Sequence, residues 1–516
     1  MTTNNYGRRT ALKGAALVAA ATLALAGCGT GGGSAGGTDA GTTNLGTAEN
    51  PITWMAMLHT PVTPDANGPV HSALEELTGT SFQFQWVPDA SKEEKINAAL
   101  ASGALADVVS LTLINSTSVR TALASGAFWD VEEYLADYPN LSNIPEATIE
   151  SARIDGELWG VPFVKPAARY GVVVRQDWLD NLGLEVPHTI EELGEVARAF
   201  TTDDPDGNGQ NDTVGFYDRA ESFLVGFRSL AGYFGAGQKF QLMDDGQIVP
   251  AFMTDEFKEA MEWYKGVYDD KAVNQEFITV QKSAQQDGIA RGRGGIAVTG
   301  LFEARNYQNQ AIAADPNTPM EWALINDITY DGVPRRILSD TNGGMGGWMA
   351  IPKSQVKTEA ELRAVLNLLD KLSTEDAFKL MTNGIEGTHW EQDADGVVTI
   401  IDEPTWQQQV QPYSSSRPTE TVLTFKSTAP YMDEANEKMA ENEEFVVTDP
   451  SQSLTSPTKD AQWSMLEQRA NDAFNRYMNG QIDMGGYEQE MQSLRGQGLD
   501  QIIQELTDAH AQAKTG

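Results

Sequence analysis

The chain has 516 residues, 41% of them hydrophobic and eleven of them Trp, enough apolar surface for a large core and two or three domain-sized units. Its 73 Asp and Glu against 36 Lys and Arg give a formal net charge of -37, and no dense Lys/Arg cluster interrupts that balance. Such a surface repels nucleic acid and anionic lipid, which excludes nucleic-acid partners; the acidity serves solubility and attracts cations.

At the start, Arg8, Arg9 and Lys13 precede a short apolar run, Gly14 to Gly27, which closes on Leu25-Ala26-Gly27-Cys28. A charged start, a short apolar run and small residues before a cut are the layout of a secretory signal peptide, here residues 1–27, and the run is shorter than the roughly 20 residues of a membrane span. Leu25 to Cys28 resembles a bacterial lipobox, which implies cleavage before Cys28 and lipid on that cysteine, so that the mature chain is tethered to the outer face of the cell membrane. Gly7-Arg8-Arg9-Thr10-Ala11-Leu12-Lys13 also resembles a twin-arginine export signal, with Gly7 and Ala11 departing from the usual Ser/Thr and Phe, and the export route stays open. Cys28 is the only cysteine, so no disulfide supports the fold. Losing three cations with the signal brings the mature chain to a net of about -40. Residues 28–50, dominated by Gly, Thr, Ala and Ser, predict a flexible linker, and the folded body is expected from near Pro51.

In the body, Ile52 to Leu58 predicts a strand, Val70 to Leu77 a helix, Ser81 to Val87 an alternating strand, Lys92 to Ala101 a helix and Asp107 to Leu111 a short strand. Strands alternating with helices point to α/β layers with a mainly parallel sheet, whose ligands bind beyond the C-terminal strand ends. His59, after the first strand, and Asp107 with Ser110, around the third, are therefore candidate rim residues. No repeat of about 20 to 50 residues is visible, which argues against a solenoid or propeller.

The turn Asp155-Gly156-Glu157-Leu158-Trp159-Gly160-Val161-Pro162, the strand after Tyr170, and the run from Arg175-Gln176-Asp177-Trp178-Leu179 to Leu193 resemble the extracellular solute-binding proteins of bacterial ABC importers, family 1, including the large alginate-oligosaccharide-binding lipoproteins. Phe257 to Phe277, Gly295 to Gly300, Gly384-Ile385-Glu386-Gly387-Thr388-His389-Trp390 and the tail from Arg476 to His510 continue the resemblance in order. It implies an α/β, two-lobed periplasmic-binding-protein-like fold of type II with a ligand cleft between the lobes. By analogy the N-terminal lobe holds 51–164 and 328–385, and the C-terminal lobe 165–327 and 386–516. The implied partners are an oligosaccharide and the permease subunits of an ABC transporter, with the receptor a monomer that closes its lobes on the ligand.

Asp204-Pro205-Asp206-Gly207-Asn208-Gly209-Gln210-Asn211-Asp212 is the sharpest chemical signal. Asp204, Asp206 and Asn208 alternate, Gln210 offers a backbone carbonyl and Asp212 a carboxylate or water, as in the first nine positions of a calcium loop. Gly215 stands where an EF-hand has its bidentate Glu. The alternative is an Asx-rich surface turn. The alginate-binding relatives carry a similar calcium loop, which implies a structural Ca2+ that stiffens the second lobe.

Sugars are held by aromatic faces and by carboxylates, amides and Arg. The candidates are Trp348 in its glycine-rich run, Arg169 and Tyr170 past the first lobe crossing, Glu386, His389 and Trp390 at the last, and Phe302, where relatives often have Trp. Trp159, Trp178 and Trp263 are expected to pack. No G-x-S-x-G, H-E-x-x-H, phosphate loop or dinucleotide motif occurs, and the five His are scattered, so no enzyme is expected. A secreted glycosidase, a receptor for another solute such as a peptide, and an adhesin or scaffold are the alternatives.

Overall fold

A computed structural model describes residues 42–513 apart from Pro61 and Asn115. The signal peptide, Cys28 and most of the expected linker lie outside the described residues. The last part of that linker is not loose. Gly46 N donates to Asn50 O at 2.8 Å, Ser81 N donates to Gly46 O at 2.8 Å, and Leu45 packs against the core, so the ordered body starts before Pro51.

Two separate sheets organise the body. The first runs Phe82–Pro88, Ile52–Leu58, Val108–Leu111, Met345–Ala350, Val161–Val164 in spatial order; the first three strands are parallel and Met345–Ala350 is antiparallel to both its neighbours. The second runs Trp322–Ile325, Tyr170–Arg175, Gly294–Gly300, Val214–Phe216, with only its last pair parallel. The expectation of mainly parallel pairing therefore holds for one side of the first sheet and fails for the second, where a strand arriving from the other sheet enters in the opposite sense. In Tyr170–Arg175, Val172 and Val174 join one buried apolar cluster and Val173 another, the period-two pattern of a strand covered on both faces.

Local signals set the helix ends. Ile190–Thr202 and Glu359–Leu372 each start on a reciprocal capping box, Thr189 with Glu192 and Thr358 with Glu361. Gln176–Leu182 stops at Gly183, whose φ of 65° is a left-handed cap that costs glycine little. Trp54, Trp178 and Trp348 are fully buried, and Trp263 packs half-buried against the second core, as expected for packing residues at Trp178 and Trp263.

Packing departs from the expected lobe boundaries in two places. Ile328 and Ile337 belong to the core of the second sheet, not the first. Residues 386–425 return to the first: Val410 and Tyr413 lie in its core, Trp406 Nε1 donates to Thr382 O at 3.1 Å, and Thr419 bridges to Val164. The helices Met432–Asn442, Pro457–Met478, Met484–Leu494 and Asp500–Ala513 then cover the second sheet's cores.

Candidate functional site

Three stretches of chain pass between the two halves: the last lies between Lys426–Ser427 and Met432–Asn442, and the other two run side by side. Residues 165–169 lead from Val161–Val164 into Tyr170–Arg175, and 339–344 lead from Ile337–Leu338 into Met345–Ala350. Lys165 N donates to Gly344 O at 2.8 Å, Ser339 Oγ to Ala167 O at 2.6 Å and Thr341 Oγ1 to Pro166 O at 2.7 Å. Arg169 donates its backbone N and its Nε to the two oxygens of Asp340, both at 2.8 Å. The glycines after Asp340 are required by this crowding: a Cβ on Gly343 would sit 2.2 Å from Ser151 Oγ, and one on Gly347, at φ 139°, would sit 2.5 Å from Leu111 O.

A cavity of about 450 Å³ opens against the paired crossings, within the usual range for small-ligand sites. Thr112 and Ile114, just past the C-terminal end of Val108–Leu111, form one wall, where an open α/β sheet is expected to bind. Arg228 comes from the helix Gly226–Tyr233, and Gln238 and Lys239 from the loop that follows it. Arg228 Nη2 pairs with Glu467 Oε1 at 2.9 Å. Tyr170 is the cavity's aromatic side chain, and burial raises its pKa, so it meets a ligand as a neutral phenol.

Lys165 and Gly346 also line a second cavity of about 280 Å³, shared with His59, Lys92, Arg417 and Glu420. Here His59 Nδ1 lies 3.6 Å from Asp89 Oδ1, and Lys92 donates to the same oxygen at 2.7 Å, a hydrogen bond that lowers the Asp89 pKa. Burial pulls the Arg417 pKa down, and its Nε has no hydrogen-bond partner among the described residues.

The sequence candidates divide sharply. Arg169 and Tyr170 line the larger cavity, His59 lines the second, and Phe302 lies under the Arg169 guanidinium at 5.5 Å from ring centre to Cζ. Asp107 is at the other end of its strand, accepting from Thr53 N at 2.8 Å and Thr53 Oγ1 at 2.7 Å, whereas Ser110, although buried and accepting from Trp54 Nε1 at 2.9 Å, lines the second cavity with His59. Trp348 does not face a cleft: it is wholly buried, and its Nε1 donates to Ala152 O at 2.8 Å. His389 and Trp390 hold their own turn. His389 Nδ1 accepts from Ile385 N at 2.9 Å, Trp390 Nε1 donates to Gly384 O at 2.9 Å, and exposed Glu386 lines neither cavity. These three residues were expected at a lobe crossing, and the chain makes none there. Lys165, Arg228, Lys239 and Asp340 were missed, because no local spacing marks a charged side chain whose neighbours are brought in by tertiary packing.

The acidic loop connects the helix Ile190–Thr202 to the strand Val214–Phe216. Asp204, Gly207 and Gly209 have φ of 50°, 65° and 76°, which curls the backbone inward. Asn208 Nδ2 donates to Asp206 Oδ2 at 2.8 Å and to Asp212 Oδ1 at 3.3 Å, so those carboxylates gather around the position of a single donor. Burial, with Asp204 and Asp212 adding to it, raises the Asp206 pKa, and Asp204 Oδ1 is buried with no hydrogen-bond partner among the described residues. Gln210 leaves its carbonyl free of the loop's own bonds, its N donating to Asn208 Oδ1 at 2.7 Å. Among the described residues no three His, Cys, Asp or Glu are grouped closely enough to hold a metal by themselves. The donor set is instead carboxylate, amide and carbonyl oxygen, which fits a hard cation. Gly215 cannot be replaced by a twelfth-position ligand, since its Cβ would lie 2.5 Å from Ala197 O.

The family profile described as "Bacterial extracellular solute-binding protein" matches residues 59–377. The chain is 36% identical over 466 residues to the polygalacturonan/rhamnogalacturonan-binding protein YtcQ of Bacillus subtilis, covering 90% of this chain and 92% of that protein. It is 28% identical over 475 residues to the lipoprotein LipO of the same organism, with 90% and 93% covered. Among solved structures, an extracellular solute-binding protein from Bifidobacterium longum subsp. infantis superposes with a TM-score of 0.69 at 18% identity, covering 90% of this chain and 99% of that one.

Proposed function

Because the chain belongs to the bacterial extracellular solute-binding proteins, we propose that it is the substrate-binding lipoprotein of an ABC importer, which takes an oligosaccharide between two lobes and hands it to membrane permease subunits. The observation that carries this reading is the 450 Å³ cavity set against the paired chain crossings at 165–169 and 339–344, lined by Arg169, Asp340 and hydroxyl-bearing side chains. A ligand held there touches both sheets' halves, so its binding energy favours whichever arrangement of the lobes encloses it. The work is recognition, and no bond of the sugar is made or broken.

The lobes follow the packing: one comprises about 45–164 and 345–427, the other about 165–344 and 428–513. Lipid on Cys28 would keep the receptor at the outer face of the membrane, in keeping with a lipoprotein relative of matching length. A structural Ca2+ held by Asp204, Asp206, Asn208, the Gln210 carbonyl and Asp212 would tie the loop between Ile190–Thr202 and the second sheet. The buried, unpartnered Asp204 Oδ1 is the observation in its favour.

The test is a thermal-shift and calorimetric screen of the body from residue 42 against neutral and acidic oligosaccharides, with chromatography of the recovered sugar. Binding with the sugar recovered intact supports the receptor. Cleavage would make it a glycosidase, and silence across the panel would end the sugar reading.

A further inference from the structure

The larger cavity is basic in a chain that is overwhelmingly acidic. Lys165, Arg169, Arg228 and Lys239 line it, and Asp340 is the single carboxylate among its walls, while the whole chain carries twice as many acidic as basic residues. Three of those cations have a partner: Arg169 meets Asp340 at 2.7 Å, Arg228 meets Glu467 at 2.9 Å and Lys165 meets Glu420 at 3.5 Å. Lys239 makes no ion pair among the described residues. A partly buried cation without a counter-ion is costly to maintain unless something of opposite charge visits it.

The same cavity is poor in the flat apolar surface on which neutral sugars are usually gripped. Tyr170 is its one aromatic side chain, and Trp348, Trp390 and His389 are committed elsewhere. Charge also continues beyond it. Lys165 is shared with the second cavity, where Lys92 and Arg417 stand with Asp89 and Glu420, and Lys239 is shared with a third of about 230 Å³, where Arg120 and Lys459 stand beside three carboxylates. Each shared cation thus stands where the central cavity adjoins a different neighbour, Lys165 towards the second and Lys239 towards the third.

We propose that the ligand is an acidic oligosaccharide, carrying carboxylate or sulfate groups, with Lys239 and Lys165 meeting anionic groups at the two ends of the central cavity. This rests on the receptor reading above and adds the ligand's chemical class. Arg169 and Arg228, held by Asp340 and Glu467, shape the site and lend it positive potential, while Thr112 and Asn342 are placed for hydroxyls.

Titration calorimetry on the body from residue 42 tests this with four probes: α-1,4-linked trigalacturonate, its fully methyl-esterified form, a sulfated galactan tetrasaccharide and neutral maltotriose. The expected result is binding of at least one of the two acidic probes. For trigalacturonate, esterification should weaken it at least about tenfold, and so should raising the salt severalfold, since exposed charge attraction is screened. Lys239→Met should weaken the acidic probe about tenfold or more with an unchanged melting temperature, and Lys239→Arg should restore most of it. Preference for the sulfated probe over trigalacturonate assigns the anion as sulfate. Equal affinity for acid and ester, or binding confined to maltotriose, overturns the acidic class and leaves the receptor standing. Heats from none of the probes overturn both.

Discussion

Asp340 holds Arg169 by three contacts across 171 residues of sequence: backbone N to Oδ1 at 2.8 Å, Nε to Oδ2 at 2.8 Å and Nη2 to Oδ2 at 2.7 Å. One residue ends the first crossing between the sheets and the other begins the second, so the pair fastens the two strands of the hinge together beside the cavity. Because Arg169 also lies over Phe302, its guanidinium is fixed on two sides.

That fastening predicts coupling. Asp340→Ala should cost about 2 kcal/mol of stability, the range for charge-assisted hydrogen bonds that are partly buried. Arg169→Met should cost a similar amount, and the double variant less than the sum by about 1 kcal/mol or more. Urea unfolding of the four proteins, followed by Trp fluorescence, measures the cycle; strict additivity would mean that the two residues act independently.

Trp348 is expected to behave as a core residue. It is fully buried with its indole bonded to Ala152 O, so Trp348→Ala should destabilise the protein by about 3–5 kcal/mol, whereas Trp348→Phe should cost less. The urea midpoint is the readout. A variant that keeps its midpoint but loses sugar binding would return Trp348 to the cleft.

The contrast between Trp348 and Arg169 marks how far the sequence could be read. Ile52 to Leu58 is a strand at the residues its apolar run indicates, and the helices expected at Val70 to Leu77 and Lys92 to Ala101 form within a residue or so, because periodicity and caps are local signals. The two-sheet architecture was legible through the ordered motifs. The site was legible only in part. Arg169 and Tyr170 follow directly on a motif that fixes the crossing, whereas the turn from Gly384 to Trp390 is closed by its own hydrogen bonds, and nothing in its composition distinguishes an indole that serves a turn from one that serves a ligand. Lys239 and Asp340 stand in unremarkable loops, and only the meeting of distant segments gives them a role. The boundary at 385 was misplaced for the same reason: Val410, Tyr413 and Arg417 return to the first sheet through contacts that no short segment encodes.

The acidic loop predicts a response to chelator. With calcium in excess of its dissociation constant by about a hundredfold, binding to the folded state alone adds about 2.7 kcal/mol. EGTA should therefore lower the melting temperature of the native protein by several degrees, and Asp206→Ala should lower it to the same point with no further effect of EGTA. An equal EGTA response in both proteins would assign the loop to an Asx-rich turn without a metal.

Lys459 predicts a stability that depends on pH. Burial holds its ammonium down at about 8; Arg120 and Lys239 push the same way, and Asp449 and Asp460 oppose them. Its Nζ donates to Ser451 O at 3.1 Å and to Ser451 Oγ at 2.9 Å, so it is fixed in that environment. In the unfolded chain a lysine titrates near 10.4, so between about pH 8 and 10.4 the unfolded state binds more protons than the folded one. Stability from this group therefore rises with pH across that window, and below it the cost of burying the charge is paid in full. Lys459→Met removes the group, so relative to the variant the native protein should gain on the order of 2 kcal/mol between pH 7 and pH 10. Taking the difference between the two proteins cancels the other groups that titrate there. Urea midpoints for both, measured at intervals of one pH unit, give the curve directly, and parallel profiles would place the Lys459 ammonium in contact with solvent.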